Sequence, residues 1–409
     1  MIGRESNTLM GSLRVRVKCC RMVVTAMRTW LIIALLVTIV ATAGRAATST
    51  TVSIRLEGVH IYVDVSINGK PASFILDTGA SANVLTPEAS RRLNLTPGTD
   101  QTPLTGAAGK AGSVSSVKIA SLDIGSSHLD NQIAYVIPLP EALPCDGLLG
   151  TQFIQSQVVT IDYEHLTLTL APHHGFRPAG GAAAIPIRLI GNTPFLEALA
   201  DGHPGWFRMD TGAGNGATLF AKFVERNQMA GKYTPSIRMV TGRGVGGLLY
   251  GDLVRLPSLQ VGPFRFTNAV TEFSRQTEGT FGDPNNAGNL GGEIWQRFTV
   301  TLDYGAKRAY LKPNGQFDLP FITPRSGLAL DTEKGLNVVR DVMPNSPASE
   351  AGIQLGDVVT AIDGKPIEQI KHADITSALR REPGTKVALR VRSGEMPERE
   401  VTLILRDLL

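Results

Sequence analysis

Two triplets hold the residues in this chain best suited to chemistry: Asp77-Thr78-Gly79 and Asp210-Thr211-Gly212, each followed by an alanine, Ala80 and Ala213. Two carboxylates held about 3 Å apart cannot both ionise, so such a pair shares one proton and titrates as a unit. The ionised member takes a proton from water while the protonated one hydrogen-bonds a carbonyl oxygen, and neither a metal nor a covalent intermediate is needed. Two aspartate loops therefore offer hydrolysis, provided the fold brings them together.

The sequence around each triplet is repeated. His60–Ile67 is a strand-like run that meets Asn68-Gly69, and Phe74-Ile75-Leu76 then leads into Asp77; Pro194–Leu199 meets Asp201-Gly202, and Trp206–Met209 leads into Asp210. Asn-Gly and Asp-Gly between apolar runs are hairpin signals, because both residues tolerate the positive φ of a tight turn. In each copy the turn glycine stands eight residues before the aspartate, and Gly150 to Asp162 and Gly291 to Asp303 both span twelve residues. Leu122–Gly125 parallels Leu259–Gly262, Gly147–Gly150 parallels Gly288–Gly291, and Val158–Tyr163 matches Thr299–Tyr304 almost residue for residue. Short Val/Ile/Leu/Thr runs broken by Gly, Pro and Asn make each copy all-β, with one short helix apiece at 87–93 and 221–229.

These residues resemble the retropepsin-like aspartic peptidases, in which each half supplies one Asp-Thr-Gly and a later apolar-apolar-Gly triplet that braces the loop. The resemblance implies a mostly β, bilobal molecule with pseudo-twofold symmetry: a first barrel half over 50–172, a linker over 173–184 and a second half over 185–313. It implies that Asp77 and Asp210 face each other as the catalytic pair, with Thr78, Gly79, Thr211 and Gly212 as loop support. In viral members the halves are separate chains, and a homodimer pairing Asp77 with a second Asp77 is an alternative. Glycine-rich 105–112 and 241–247 lie where flaps lie in that family; ordinary mobile hairpin loops are the other reading. Two departures, Asn289 in place of an apolar brace and the extra Gly214-Asn215-Gly216, are expected to loosen the second loop. Ala80 and Ala213 replace the hydroxyl residues of pepsin-like relatives, so the pair should hold its proton to higher pH and work in mildly acidic to near-neutral conditions.

Beyond Pro324 the pattern changes. Ser326–Leu330, Gly335–Val339, Asn345–Ala348, Gly356–Val359 and Ile362–Gly364 together resemble a PDZ domain over 323–409, β-rich with one or two helices. The resemblance implies that the loop Gly327-Leu328-Ala329-Leu330 offers N–H groups to the terminal carboxylate of a peptide, which adds as a strand to the sheet edge. His372 opens the groove helix and reads as an exposed helix-start residue.

Composition narrows the rest. Trp30–Val40 is apolar apart from Thr38, follows Arg28 and runs into Ala41-Thr42-Ala43, so residues 1–47 read as a signal peptide with an N-terminal extension, and a start at Met27 would make that signal compact. The protein is therefore expected outside the cytoplasm, periplasmic or extracellular, and membrane-anchored only if the signal is retained. Residues after 43 hold 34 basic and 35 acidic side chains with no basic cluster, which gives nucleic acid no footing. Past the signal Cys145 is the lone cysteine, without a partner motif for nucleophilic work; His173-His174 read as solvated loop residues. No metal or cofactor is expected. The partners are a peptide or protein substrate and a C-terminal or extended peptide on the PDZ-like module, with a non-catalytic, exported peptide-binding protein as the rival reading.

Overall fold

The computed structural model describes residues 49–409; the signal reading falls outside them. Among the described residues no helix is long and apolar enough to cross a membrane. The architecture is mostly β, with six α-helices among the described residues and none longer than seven residues.

In the first lobe His60–Ile67 pairs with Lys70–Leu76 across a two-residue turn in which Asn68 and Gly69 have φ of 51° and 77°. The second lobe repeats it: Thr193–Ala200 and His203–Met209 flank Asp201 and Gly202 at 48° and 83°. Positive φ at both central positions gives the turn whose twist matches that of the strands, so the Asn-Gly and Asp-Gly pairs fix the register. Register then decides which side chains face in: Phe74 and Phe207, each three residues before its aspartate, are fully buried. Gly147–Leu149 runs parallel to Lys70–Leu76 and antiparallel to Asn83–Leu85; Gly288–Leu290 does the same between His203–Met209 and Ala217–Leu219.

The lobes are joined by strands in the order Thr50–Ser53, Thr167–Ala171, Val158–Asp162, Phe298–Asp303, Arg308–Pro313 and Ala183–Ile190. The two central strands pair antiparallel with Thr160 opposite Thr301, their hydroxyls 2.9 Å apart. Those threonines occupy equivalent places in the repeated closing segments. The segment between the lobes is not merely solvated: His173 is half-buried, its Nδ1 2.9 Å from Asp303 Oδ1 and its Nε2 3.1 Å from the Gln155 carbonyl. A ring with both nitrogens partnered this way ties the connection to the strand Phe298–Asp303 and to the end of the helix Thr151–Ile154.

The C-terminal module has its own core, with Val339, Val359, Val387, Val391 and Leu403 buried in a sheet ordered Leu328–Glu333, Leu336–Val342, Val358–Ile362, Lys386–Arg392 and Arg399–Ile404. The edge strand Leu328–Glu333 faces another edge strand, Ile237–Gly244 of the second lobe. Ala329 and Met343 pack there against Ile237, Met239 and Val240. The module is thus seated on the second lobe rather than hung from it.

Candidate active site

Each aspartate ends a strand and is held by the neighbouring bracing strand. Asp77 N donates to the Leu149 carbonyl at 3.0 Å and Asp210 N to the Leu290 carbonyl at 2.9 Å. The second brace has an extra tie, since buried Trp295 donates its Nε1–H to the same Leu290 carbonyl at 2.6 Å. The extra residues after Asp210 do not loosen this loop, contrary to expectation, whereas Asn289 is fully buried with its amide unpartnered. Asn215 donates to Thr218 Oγ1 at 2.7 Å and to Glu272 Oε2 at 3.2 Å, while Gly291 N reaches the Gly216 carbonyl at 2.8 Å. The insertion is pinned by hydrogen bonds where the first loop has fewer residues to pin.

The two loops interlock. Thr78 N donates to Thr211 Oγ1 at 3.1 Å and Thr211 N to Thr78 Oγ1 at 3.0 Å; the hydroxyls then donate across to the Met209 carbonyl at 2.6 Å and the Leu76 carbonyl at 2.7 Å. All of these groups are buried, so every bond lost leaves an unpaired polar group. Thr78→Val or Thr211→Val, which keeps the shape and removes the hydroxyl, is expected to cost about 1–3 kcal/mol in denaturant unfolding, read as a lower midpoint at constant m-value.

The glycines close the arrangement. A Cβ on Gly79 would stand 2.6 Å from Asp210 Oδ1, and one on Gly212 would stand 2.6 Å from Asp77 Oδ1. Each carboxylate is therefore seated on the backbone of the opposite loop, a closeness that only glycine permits. Both come from one chain. Asp77 Oδ1 accepts N–H bonds from Gly79 at 2.8 Å and Ala80 at 3.1 Å, and Asp210 Oδ1 accepts one from Gly212 at 3.0 Å. Burial, then the charge of Asp210, push the Asp77 carboxyl up to about 7, against the pull of those two N–H groups and of Arg208. A proton is thereby retained where a carboxylate normally has none, as acid–base hydrolysis by a pair demands.

Around the pair lies a cleft of about 1560 Å³. Its roof is formed by the two glycine-rich hairpins, Thr102–Thr105 with Lys110–Val114 and Ile237–Gly244 with Gly247–Leu256. Their tips touch: Ala108 N lies 3.4 Å from the Val245 carbonyl. The second hairpin is also held by the C-terminal module, since Arg243 Nε donates to both oxygens of Asp331 at 3.0 and 2.9 Å and Val240 N to Asp341 at 2.8 Å.

The loop Gly327-Leu328-Ala329-Leu330 lies apart from the aspartates. Its strand borders a smaller cavity of about 190 Å³, also lined by Ile375 of the helix His372–Ala378 and by Leu379 just after it, and closed by the second lobe. Leu330, Asp331, His372 and Thr376 line both this cavity and the main cleft. His372 is thus half-buried rather than exposed: burial, then the nearby His60, lower its pKa. His60 Nε2 is 3.2 Å from the Gly212 carbonyl, and burial keeps that ring below its ordinary value as well. Cys145 is half-buried, with burial pushing its thiol up to about 12, which removes it as a nucleophile.

Several residues here gave no signal in the sequence. Arg208, His60, Glu272, Glu293 and the Arg243–Asp331 pair acquire their places from strand register and from docking of the last module. Only Arg208 was open to detection, since aligning the copies sets it against Ile75, two residues before each aspartate.

Residues 63–153 match the family model described as aspartyl protease, and residues 338–393 match that of the PDZ domain. Among curated proteins, the chain is 41% identical over 76 residues to the periplasmic pH-dependent serine endoprotease DegQ of Escherichia coli, covering 18% of this chain and 16% of that protein. It is 43% identical over 58 residues to the periplasmic serine endoprotease DegP of Salmonella typhimurium, covering 14% and 11%. The chain thus spans less than a fifth of the length of these relatives. A crystal structure of a retropepsin-like aspartic protease from Rickettsia conorii is similar over 30% of this chain and 90% of that one, with 23% identity and a TM-score of 0.25.

Proposed function

We propose that this chain, which joins a retropepsin-like aspartyl-protease domain to a PDZ domain, is an exported aspartic endopeptidase in which Asp77 and Asp210 activate water and the PDZ module brings in the substrate. One observation carries the reading: each aspartate carboxylate is seated on the glycine of the other loop, and Asp77 is raised by burial beside Asp210. In that state one carboxylate takes a proton from water while its partner donates to the scissile carbonyl. Thr78, Gly79, Thr211 and Gly212 hold the geometry and take no part in the proton transfers.

The serine type of the relatives does not argue against this. The longer match, 76 residues, is close in length to the C-terminal module alone, and the acid–base pair lies outside that module. Their periplasmic location agrees with the apolar run at 30–40 and supports export of this chain to the same kind of compartment.

Recruitment by the PDZ module follows from the shared walls of the two cavities. For a peptide to lie on Leu328–Glu333 with its carboxylate at the loop 327–330, Ile237–Gly244 must first leave that edge; the peptide would then run past Asp331 and His372 into the cleft. The module also holds the second flap. Asp331→Asn is expected to speed amide exchange in 237–256 about five- to tenfold, as one charge-assisted contact is weakened, with exchange in the first lobe unchanged.

The test of the whole reading is a mixed peptide library digested with the full chain, with and without a statine-type inhibitor, cleavage sites being read by mass spectrometry. Inhibitor-sensitive internal cleavage is expected. Cleavage that survives the inhibitor and Asp77→Asn would assign the hydrolysis elsewhere, and binding without cleavage would leave an exported peptide-binding protein.

A further inference from the structure

We propose that Arg208 builds a carboxylate-recognising subsite beside the scissile bond, so that the cleft prefers an apolar side chain on its first-lobe side and an acidic group on its second. This rests on the peptidase reading of the cleft and adds a substrate class to it.

The argument is one of register. Residues directly opposite in paired strands share a face of the sheet. In the first lobe Ile75 lies opposite Leu148, Leu148 opposite Val84, and Val84 opposite Tyr135. The same row in the second lobe reads Arg208, Asn289, Thr218 and Glu272. Each row begins two residues before its aspartate, so Ile75 and Arg208 stand on the same face as the carboxylates, about 7 Å along the strand. Of these rows Leu148, Val84 and Tyr135 line the cleft on one side and Arg208 and Glu272 on the other, so an apolar wall is matched by a charged one.

Within the polar row the far end is already satisfied. Glu272 accepts from Thr241 Oγ1 at 2.8 Å, Asn215 Nδ2 at 3.2 Å and Thr218 Oγ1 at 3.2 Å. The near end is not. Arg208 lines the cleft, its Nε is buried with no hydrogen-bond partner, and it makes no ion pair among the described residues. Its guanidinium lies over the Phe195 ring, 5.4 Å from the centroid. Asn289 beside it is fully buried with both Oδ1 and Nδ2 unpartnered. Burial pulls down the pKa of Arg208, and the nearby Asp210 and Asp77 offset this only through space. A half-buried guanidinium whose Nε is buried without a partner has donors left for a ligand, and its planar fork matches a carboxylate with two parallel N–H bonds. That carboxylate has two possible sources, an internal Asp or Glu side chain or the free terminus of a short peptide.

The test compares kcat/KM of the full chain on blocked, C-terminally amidated peptides with Leu on one side of the scissile bond and Glu, Gln or Leu on the other, in both orders. A parallel set leaves the last residue as a free α-carboxylate next to the bond. Glu over Gln by about tenfold or more is expected in one order; preference for the free carboxylate instead assigns the subsite to a chain end. Arg208→Gln is expected to bring the Glu/Gln ratio to near one, and Arg208→Lys, which keeps the charge but not the fork, to an intermediate value. Equal rates on Glu and Gln peptides, or an equal loss on all peptides with a shifted pH optimum, would place Arg208 in tuning the aspartates and overturn the proposal. If no peptide is cut, the hydrolase reading fails separately. Affinity for the same peptides with a reduced CH2–NH bond then decides this one, equal affinity for Glu and Gln forms overturning it.

Discussion

Asp77→Asn and Asp210→Asn, each alone, are expected to lower kcat/KM for peptide hydrolysis by at least about 10³-fold, and the double variant to fall little further, because groups that act as a unit lose their effect together. Replacing either side chain leaves one carboxylate that can serve as base or as acid, but no shared proton to divide the two roles. Asparagine keeps the planar shape and an oxygen for the N–H groups of Gly79 and Ala80, which now bond Asp77 Oδ1. The crossed Thr78–Thr211 bonds do not involve either carboxylate, so the loops should stay closed. Affinity for a reduced-bond peptide therefore serves as the control and should change far less than turnover. A variant that still cleaves at more than a few per cent of the wild-type rate would remove the pair from the mechanism.

How much of this was legible beforehand follows from what each feature depends on. The hairpins at Asn68-Gly69 and Asp201-Gly202 are local: two residues that accept positive φ suffice, and the spacing to Asp77 and Asp210 carries the register forward to the triplets. The repeated closing strands were legible as a repeat, and in the structure they pair antiparallel with Thr160 opposite Thr301. Gly214-Asn215-Gly216 was misread because looseness was inferred from composition alone. Hydrogen bonds from Asn215 to Thr218 and Glu272 join residues up to 57 positions apart, and nothing local announces them. His372 was misread for the same reason, since its burial comes from docking of a whole module. The polar row from Arg208 to Glu272 spans four strands and exists only once their order is known.

Asp77 also sets a stability cost whose sign is opposite to that of a salt-bridged carboxylate. Its folded pKa is raised to about 7 by burial and by Asp210, whereas the ordinary value is 3.8. Below the ordinary value both states hold the proton and the group contributes nothing to pH dependence. Between the two values the unfolded chain ionises while the folded one keeps its proton, so the folded state binds more protons and stability falls as pH rises. Above the folded value the loss is complete. Removing the charge removes the cost. Asp77→Asn is therefore expected to be more stable than the wild type at pH 8, visible as a higher Tm or denaturant midpoint, with the gain vanishing near pH 4. The variant with the greatest loss of turnover should thus be the more robustly folded protein. A gain independent of pH would trace the effect to packing, and a loss at pH 8 would mean that the carboxylate is held by donors strong enough to outweigh its burial beside Asp210.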